Sequence, residues 1–185
     1  MNIQKSDILN LIIANQYTNQ RELSKASGHS LGIVNRSIKD LISTGYLDEN
    51  IQPTSKALSI IQESAPQRAV ILAAGFGMRM VPINTETPKG LLEVHGEPLI
   101  ERQINQLHEV GIHEIYVVVG FMKEAYEYLI DDYNIKLIVN PDYATKNNLH
   151  SLYLAKEHLA NAYIIPCDIW CGYNPFQKYE LYSWY

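Results

Sequence analysis

The feature that most constrains the fold is an apolar segment that runs directly into a loop with two glycines. Residues 68–72 are Arg-Ala-Val-Ile-Leu, and residues 73–77 continue as Ala-Ala-Gly-Phe-Gly. A continuous apolar run of this length is typical of a parallel strand that is buried on both faces. Glycines directly after such a strand let backbone N–H groups approach a ligand at the carboxyl edge of the sheet. The pattern therefore predicts an open α/β sheet with a ligand site where its first strand ends.

The sequence beyond this loop alternates between helical and extended patterns. Helical spacing of apolar residues occurs at 99–110, 121–130 and 148–159, and apolar runs typical of strands occur at 115–119, 136–139 and 162–166. Alternation of this kind predicts a mostly parallel sheet with flanking helices, which we assign to residues 68–185.

The first 65 residues have a different pattern, that of four short helices. Asn19 and Ser30 are suited to begin the second and third helices, and Gly45 to end the third. A short hairpin-like excursion then precedes a fourth helix from Thr54 to about Glu63. We therefore predict a separate small domain at residues 1–65.

This arrangement resembles a winged helix-turn-helix domain, in which residues 30–44 would be the recognition helix. The resemblance implies that Asn35, Arg36 and Lys39 face outward and can approach the major groove of DNA. Residues 1–66 hold six Lys and Arg against six Asp and Glu, however, which is a weak electrostatic footprint for DNA. A solvated helix face, or a module for protein interaction or homodimerisation, is the alternative.

Composition restricts the class of protein further. The 185 residues are 46% apolar and 19% charged, with a formal net charge of −5 and two cysteines. No apolar run approaches the length of about 20 residues that spans a bilayer, and the first residues lack a secretory pattern, so we expect a cytoplasmic protein without a membrane partner. Cys167 and Cys171 are too few for a disulfide scaffold or a zinc site.

The loop after residue 72 is followed by two cations, Arg79 and Lys89. Backbone N–H groups beside these side chains would form a site for a phosphate-bearing ligand. The segment fits neither the GxGxxG pattern of dinucleotide-binding folds nor the GxxxxGK[ST] pattern of phosphate-loop NTPases. An ordinary tight turn with surface cations remains the alternative.

Ala73-Ala74-Gly75, Gly77 and Arg79, followed by Pro88-Lys89, closely resemble the signature of the nucleotidyltransferase superfamily. Residues 99–104 and 147–155 are similar to the branch that contains bacterial choline-phosphate cytidylyltransferases. The resemblance implies a Rossmann-like nucleotidyltransferase fold and transfer of a cytidylyl group from CTP to phosphocholine. Another NTP, or a sugar phosphate as acceptor, remains open. Met78 departs from the pattern, since many members have Ser or Thr there.

The resemblance also implies roles for individual residues. Arg79 and Lys89 would be catalytic, and Asp168, which follows a predicted strand, would bind Mg²⁺. The residues implied in nucleotide binding are Leu72, Ala73, Ala74, Gly75, Gly77, Asn148 and Ser151. A simple turn at Asp168 and capping of the helix by Asn147 or Asn148 are the competing interpretations. Trp170 could offer a ring face to a quaternary ammonium group, or could simply be part of the core.

The superfamily normally uses a second metal-binding Asp well beyond the first, whereas only 17 residues follow Asp168. We therefore expect this chain to be a fragment of a longer polypeptide with an incomplete acceptor pocket. A further alternative is a transcriptional regulator whose second half only senses CTP or CDP-choline.

Overall fold

The computed structural model describes residues 1–14, 17, 19–77 and 86–183, which divide into two compact units. The first unit contains residues 1–65 together with residues 179–183, and the second contains residues 66–178. These units differ from the predicted domain ranges at the C-terminal end, where residues 179–183 were assigned to the second domain. Leu181 packs against the core of the first unit, and the Tyr182 hydroxyl donates a hydrogen bond of 2.8 Å to the Asp7 carboxylate.

The first unit contains four helices around one apolar core. They are α1 (Ile3–Ile13), α2 (Gln20–Ser27), α3 (Leu31–Ser43) and α4 (Ser55–Ser64). Between α3 and α4, Leu47 and Pro53 form a single antiparallel bridge, which matches the predicted hairpin-like excursion. The core residues come from all four helices and this excursion; they are Ile8, Leu9, Ile12, Leu23, Val34, Ile38, Leu41, Leu47 and Ala57.

The predicted helix boundaries in this unit are confirmed by their capping contacts. The Asn19 side chain accepts hydrogen bonds of 3.0 Å from the backbone N–H groups of Arg21 and Glu22. Ser30 accepts from the N–H of Ile33 at 3.4 Å. Gly45 follows α3 with a φ of +75°, a left-handed conformation that favours glycine.

The second unit is built on a parallel sheet. Its elements in chain order are β1 (Arg68–Ala73), β2 (Glu93–Val94), β3 (Glu97–Pro98), α5 (Leu99–Glu109), β4 (Glu114–Val119), α6 (Tyr128–Tyr133), β5 (Lys136–Val139), α7 (Asn148–Leu154) and β6 (Ala162–Pro166). Four strands pair in the order β5-β4-β1-β6, all parallel, and β2 and β3 form a separate antiparallel hairpin that the sequence patterns did not predict.

Apolar layers cover both faces of this sheet. Successive residues of β1 point to opposite faces of the sheet. Ile71 packs with residues of α5 and α6 on one face, and Val70 packs with Val118 and Ala155 on the other. This burial on two faces accounts for the continuous apolar run of β1. The predicted fold class, a mostly parallel sheet with flanking helices after a small helical domain, is confirmed.

Two predicted helices are shorter than expected. Residues 121–130 divide into a 3-10 turn at Lys123–Tyr126 and then α6. Within this stretch no helix begins before Lys123, because Met122 has a φ of +49° that an α-helix cannot contain. Helix α7 ends at Leu154 and is followed by a 3-10 turn at Lys156–His158. Over the residues that the structure describes, no helix has the length and apolar composition that crossing a bilayer requires.

Candidate active site

The glycine loop begins between two neighbouring strands that hold its backbone. The Leu72 carbonyl accepts a hydrogen bond of 3.1 Å from the N–H of Cys167, which follows β6. The Ala74 carbonyl accepts another of 3.1 Å from the N–H of Phe121, just beyond β4. The start of the loop is therefore fixed from both sides at the carboxyl edge of the sheet.

The two glycines of the loop meet different requirements. Gly77 has a φ of +67°, so a side chain at this position would strain the backbone. Gly75 is exposed, and among the described residues no atom would lie within 4 Å of a Cβ built there. Open space at Gly75 is compatible with the close approach of a ligand that the sequence predicts.

The backbone at Gly120 lies close to the start of the glycine loop, and the sequence analysis did not select this residue. A Cβ at Gly120 would lie 2.5 Å from the Tyr143 Cβ and 2.8 Å from the Ala74 carbonyl oxygen. The available signal was a glycine directly after the apolar run of β4, the same pattern that identified the loop after β1. Next to it, the Phe121 ring packs on the Phe76 ring with centroids 4.4 Å apart.

Lys89 and Asp168, far apart in sequence, are in contact. Lys89 begins a 3-10 turn, Lys89–Leu91, and its Nζ donates a hydrogen bond to Asp168 Oδ2. Gly90 makes this approach possible, because a Cβ there would lie 3.2 Å from the Cys167 Cβ and 3.0 Å from the Tyr126 hydroxyl oxygen. The structure thus brings together the two predicted residues with opposite charge, at the edge where the glycine loop also begins.

Cys167 lies beside this ion pair and is buried. Burial, and secondarily the nearby Asp168 carboxylate, raise the pKa of the Cys167 thiol to about 12. A protonated thiol is a poor nucleophile and a poor metal ligand, and the Cys167 side chain packs in the core of the second unit.

A divalent cation would rely on Asp168 and on oxygens from a bound nucleotide. No cluster of three or more His, Cys, Asp or Glu side chains with metal-binding geometry occurs within residues 1–14, 17, 19–77 and 86–183. Mg²⁺ commonly binds one or two carboxylates together with substrate phosphates and water. A single partly exposed carboxylate beside the strand that leads into the glycine loop fits that donor set.

The start of α7 shows which residues are available to a ligand. The Asn147 side chain accepts from the N–H of Leu149 at 3.1 Å and so caps the helix, whereas Asn148 is exposed. Ser151 is 2% exposed, and its Oγ accepts a hydrogen bond of 3.0 Å from the side chain of Asn140. Asn140, which sequence reasoning missed, joins the end of β5 to α7. Nucleotide contact by Asn148 and Ser151 stays a prediction.

The Trp170 ring already has a cationic neighbour. The Arg102 guanidinium lies 4.7 Å from the ring centroid, and the His95 ring centroid lies 5.3 Å from it. A quaternary ammonium group would have to use a part of this ring that Arg102 leaves open. Arg79 and Met78 lie outside the described residues, so the predicted role of Arg79 stays a prediction.

The predicted recognition helix has the expected orientation. On α3, Arg36 and Lys39 are exposed and Asn35 is half-buried, whereas Val34 and Ile38 are buried in the core. The exposed cations therefore lie on the face that does not pack against the other helices. DNA binding by this face stays a prediction.

Family profiles match both parts of the chain. The MobA-like NTP transferase domain matches residues 69–171, and the winged helix-turn-helix DNA-binding family matches residues 1–48.

Two of the individual relatives are named as cytidylyltransferases. The chain is 47% identical over 111 residues to the choline-phosphate cytidylyltransferase of Streptococcus pneumoniae, covering 60% of this chain and 48% of that protein. It is 43% identical over 101 residues to the 2-aminoethylphosphonate cytidylyltransferase of Lancefieldella rimae, covering 54% of this chain and 41% of that protein.

A solved structure of CTP:phosphocholine cytidylyltransferase from Streptococcus pneumoniae superposes with a TM-score of 0.59 at 47% identity, covering 60% of this chain and 49% of that one. The chain spans about half the length of the curated relatives it matches.

Proposed function

Because the chain belongs to the MobA-like NTP transferase family, we propose that its second unit is the nucleotide-binding part of a cytidylyltransferase that uses CTP and phosphocholine. The phosphate of phosphocholine attacks the α-phosphorus of CTP, the bond to the β-phosphate breaks, and CDP-choline and pyrophosphate form. Relatives named for CTP-dependent transfer support the choice of nucleotide.

The observation that carries this proposal is the Lys89–Asp168 pair at the edge where the glycine loop begins. Nucleotidyl transfer increases negative charge on the α-phosphate and on the departing pyrophosphate, so the site needs positive charge more than it needs a base. Lys89 supplies a point charge, and Asp168 would hold Mg²⁺. When bound, the metal ion neutralises charge on the phosphate oxygens.

A general base is unnecessary in this reaction. The second pKa of a phosphate monoester is about 6, so the acceptor is mostly a dianion near neutral pH and is already a nucleophile. Within the second unit, the residues proposed to act therefore bind and orient charge, and none has to remove a proton.

The acceptor is the least constrained part of the proposal. Two relatives are named for phosphocholine and for 2-aminoethylphosphonate, and a sugar phosphate would use the same phosphate chemistry. Pyrophosphate release from Mg²⁺ and CTP, measured with phosphocholine, 2-aminoethylphosphonate and glucose 1-phosphate in turn, distinguishes these acceptors. We expect the highest kcat/KM with phosphocholine; a higher value with another acceptor would identify that compound instead.

Nucleotide binding is tested separately by calorimetry with CTP, UTP, GTP and ATP in the presence of Mg²⁺. We expect CTP to bind most tightly and Lys89→Ala or Asp168→Asn to weaken it at least tenfold. Lys136→Ala, which removes a lysine near the amino ends of the strands, is the matched control and should bind like the wild type. Absence of binding by any nucleotide would contradict the proposal.

For the first unit we propose DNA binding through α3. The supporting observation is the exposed pair Arg36 and Lys39 on the helix that corresponds to the recognition helix of the matched winged helix family. The double variant Arg36→Ala/Lys39→Ala should retain less DNA at low salt, because phosphate contacts by cations dominate affinity. Unchanged DNA retention by the double variant, with an unchanged thermal midpoint of unfolding, would contradict DNA binding through α3.

DNA retention that responds to CTP without pyrophosphate release would instead indicate a nucleotide-sensing regulator.

A further inference from the structure

The segment that carries Asp168 is held by side chains of one helix. Residues 167–178 follow β6 and contain no helix or strand, so their carbonyl groups need other donors. Three α5 residues supply them, and we call Arg102, Gln103 and Gln106 the α5 clamp. Among the residues on either side of Asp168, the acceptors are the carbonyls of Pro166, Ile169, Cys171, Gly172 and Tyr173.

Gln103 is the member of the clamp that brackets Asp168. Its Nε2 donates to the Pro166 carbonyl at 3.0 Å and to the Ile169 carbonyl at 2.9 Å. One NH₂ group thus joins the backbone before Asp168 to the backbone directly after it. These two bonds hold the bend at residues 167 and 168 from the side of α5, whereas Leu72 and Lys89 hold the Cys167 N–H and the Asp168 carboxylate from the other segments.

The part of α5 around Gln103 is buried. Gln103 is 4% exposed, and its helix neighbours Ile100, Ile104 and Leu107 are fully buried in the main core against β1 and β4. The glycine loop follows β1, which packs in the same core. Gln103 therefore connects the Asp168 segment to the core that also positions the loop. Gln106 makes an equivalent pair of bonds one turn further along, but to Cys171 and Tyr173, which lie beyond Asp168.

We propose that Gln103 is a positioning residue that holds the Asp168 carboxylate in place for a divalent cation bound together with the nucleotide. This inference rests on the proposed function, in which Asp168 holds the metal. Side chains that orient a metal ligand from behind typically contribute 10–100-fold to metal affinity. Gln103 acts through the backbone of Asp168 and touches neither metal nor nucleotide itself.

The test uses the whole chain and Mn²⁺ as the probe, with its binding in the presence of CTP followed by electron paramagnetic resonance. We expect Gln103→Met, which keeps the length but removes both donors, to weaken Mn²⁺ binding about tenfold. CTP binding measured in EDTA should stay within twofold of wild type, because the glycine loop is unaltered. General damage to the site would weaken both the binding of Mn²⁺ and the binding of CTP in EDTA. Gln106→Met, the same change one turn along, should alter Mn²⁺ affinity by less than threefold.

Further variants distinguish unfolding of Gln103→Met from failure of the positioning role and from failure of the proposed function. If Gln103→Met unfolds, Gln103→Asn keeps an amide that reaches fewer carbonyls and should show an intermediate loss. Wild-type affinity for Mn²⁺ in Gln103→Met, while Asp168→Asn loses it, would overturn the positioning role and leave the proposed function intact. If Asp168→Asn kept the wild-type affinity for Mn²⁺, both the positioning role of Gln103 and the metal-binding role of Asp168 in the proposed function would be overturned.

Discussion

Two segments meet at the candidate active site, and they are held in different ways. The glycine loop after β1 is fixed by backbone hydrogen bonds from the residues that follow β4 and β6. The segment with Asp168, after β6, shares the backbone bond between Cys167 and Leu72, but several of its carbonyl groups beyond Asp168 are held by side chains of the α5 clamp. The loop should therefore be sensitive to added volume beneath its backbone, and the Asp168 segment to the loss of hydrogen-bond donors.

The largest loss of stability should come from adding one methyl group at Gly120, beside the backbone of the glycine loop. Gly120→Ala would place a Cβ 2.5 Å from the Tyr143 Cβ and 2.8 Å from the Ala74 carbonyl oxygen, neither of which is the end of a flexible side chain. We expect the free energy of unfolding of the second unit to fall by about 3 kcal/mol, measured by urea denaturation.

Gly75→Ala is the matched control for this prediction. No atom of the described residues lies within 4 Å of the same methyl group at Gly75, so this variant should change stability by less than about 0.5 kcal/mol. Equal effects of the two variants would show that the loop is not supported from below by close packing.

A smaller effect should follow at the contact between the Lys89 turn and Cys167. Gly90→Ala places a Cβ 3.0 Å from the Tyr126 hydroxyl oxygen and 3.2 Å from the Cys167 Cβ, which we expect to cost about 1 kcal/mol. Tyr126→Phe removes the hydroxyl, so the double variant should recover part of this loss. A double-mutant cycle by urea denaturation measures the coupling, and strict additivity would contradict this contact.

The smallest effect concerns reactivity rather than stability. With a pKa raised to about 12, the Cys167 thiol is ionised in only about one molecule in 10⁴ at pH 8. Iodoacetamide should therefore label the half-buried Cys171 first, and label both cysteines only in urea. Mass spectrometry of the labelled peptides measures this order. Equal labelling of both cysteines in the folded protein would show that the segment opens.

Local signals in the sequence were sufficient for most of the elements. Asn19, Ser30 and Gly45 marked helix ends correctly, because capping involves residues only a few positions apart. The strands at 115–119, 136–139 and 162–166 were found because apolar runs in a buried parallel sheet are nearly continuous. The helix predicted at 121–130 begins later than expected and starts as a 3-10 turn, since the left-handed backbone at Met122 has no marker in the sequence.

The site was predicted as residue types but not as contacts. Resemblance selected Lys89 and Asp168, yet only the pairing of β1 with β6 and the packing of Gly90 on Cys167 bring them together. Gln103 and Asn140 were missed because their role depends on partners in distant segments. A buried glutamine on an amphipathic helix gives no local sign of which carbonyl groups it will meet.

The sequence by itself therefore determined the two-part organisation, the parallel sheet and the glycine loop at its carboxyl edge, because these depend on periodicity, capping and backbone freedom over short stretches of chain. The tertiary structure decided that Lys89 would pair with Asp168 and that α5 would hold the Asp168 segment. Both results require segments more than 60 residues apart to pack at a defined register, and that register is set by the whole core rather than by any local pattern.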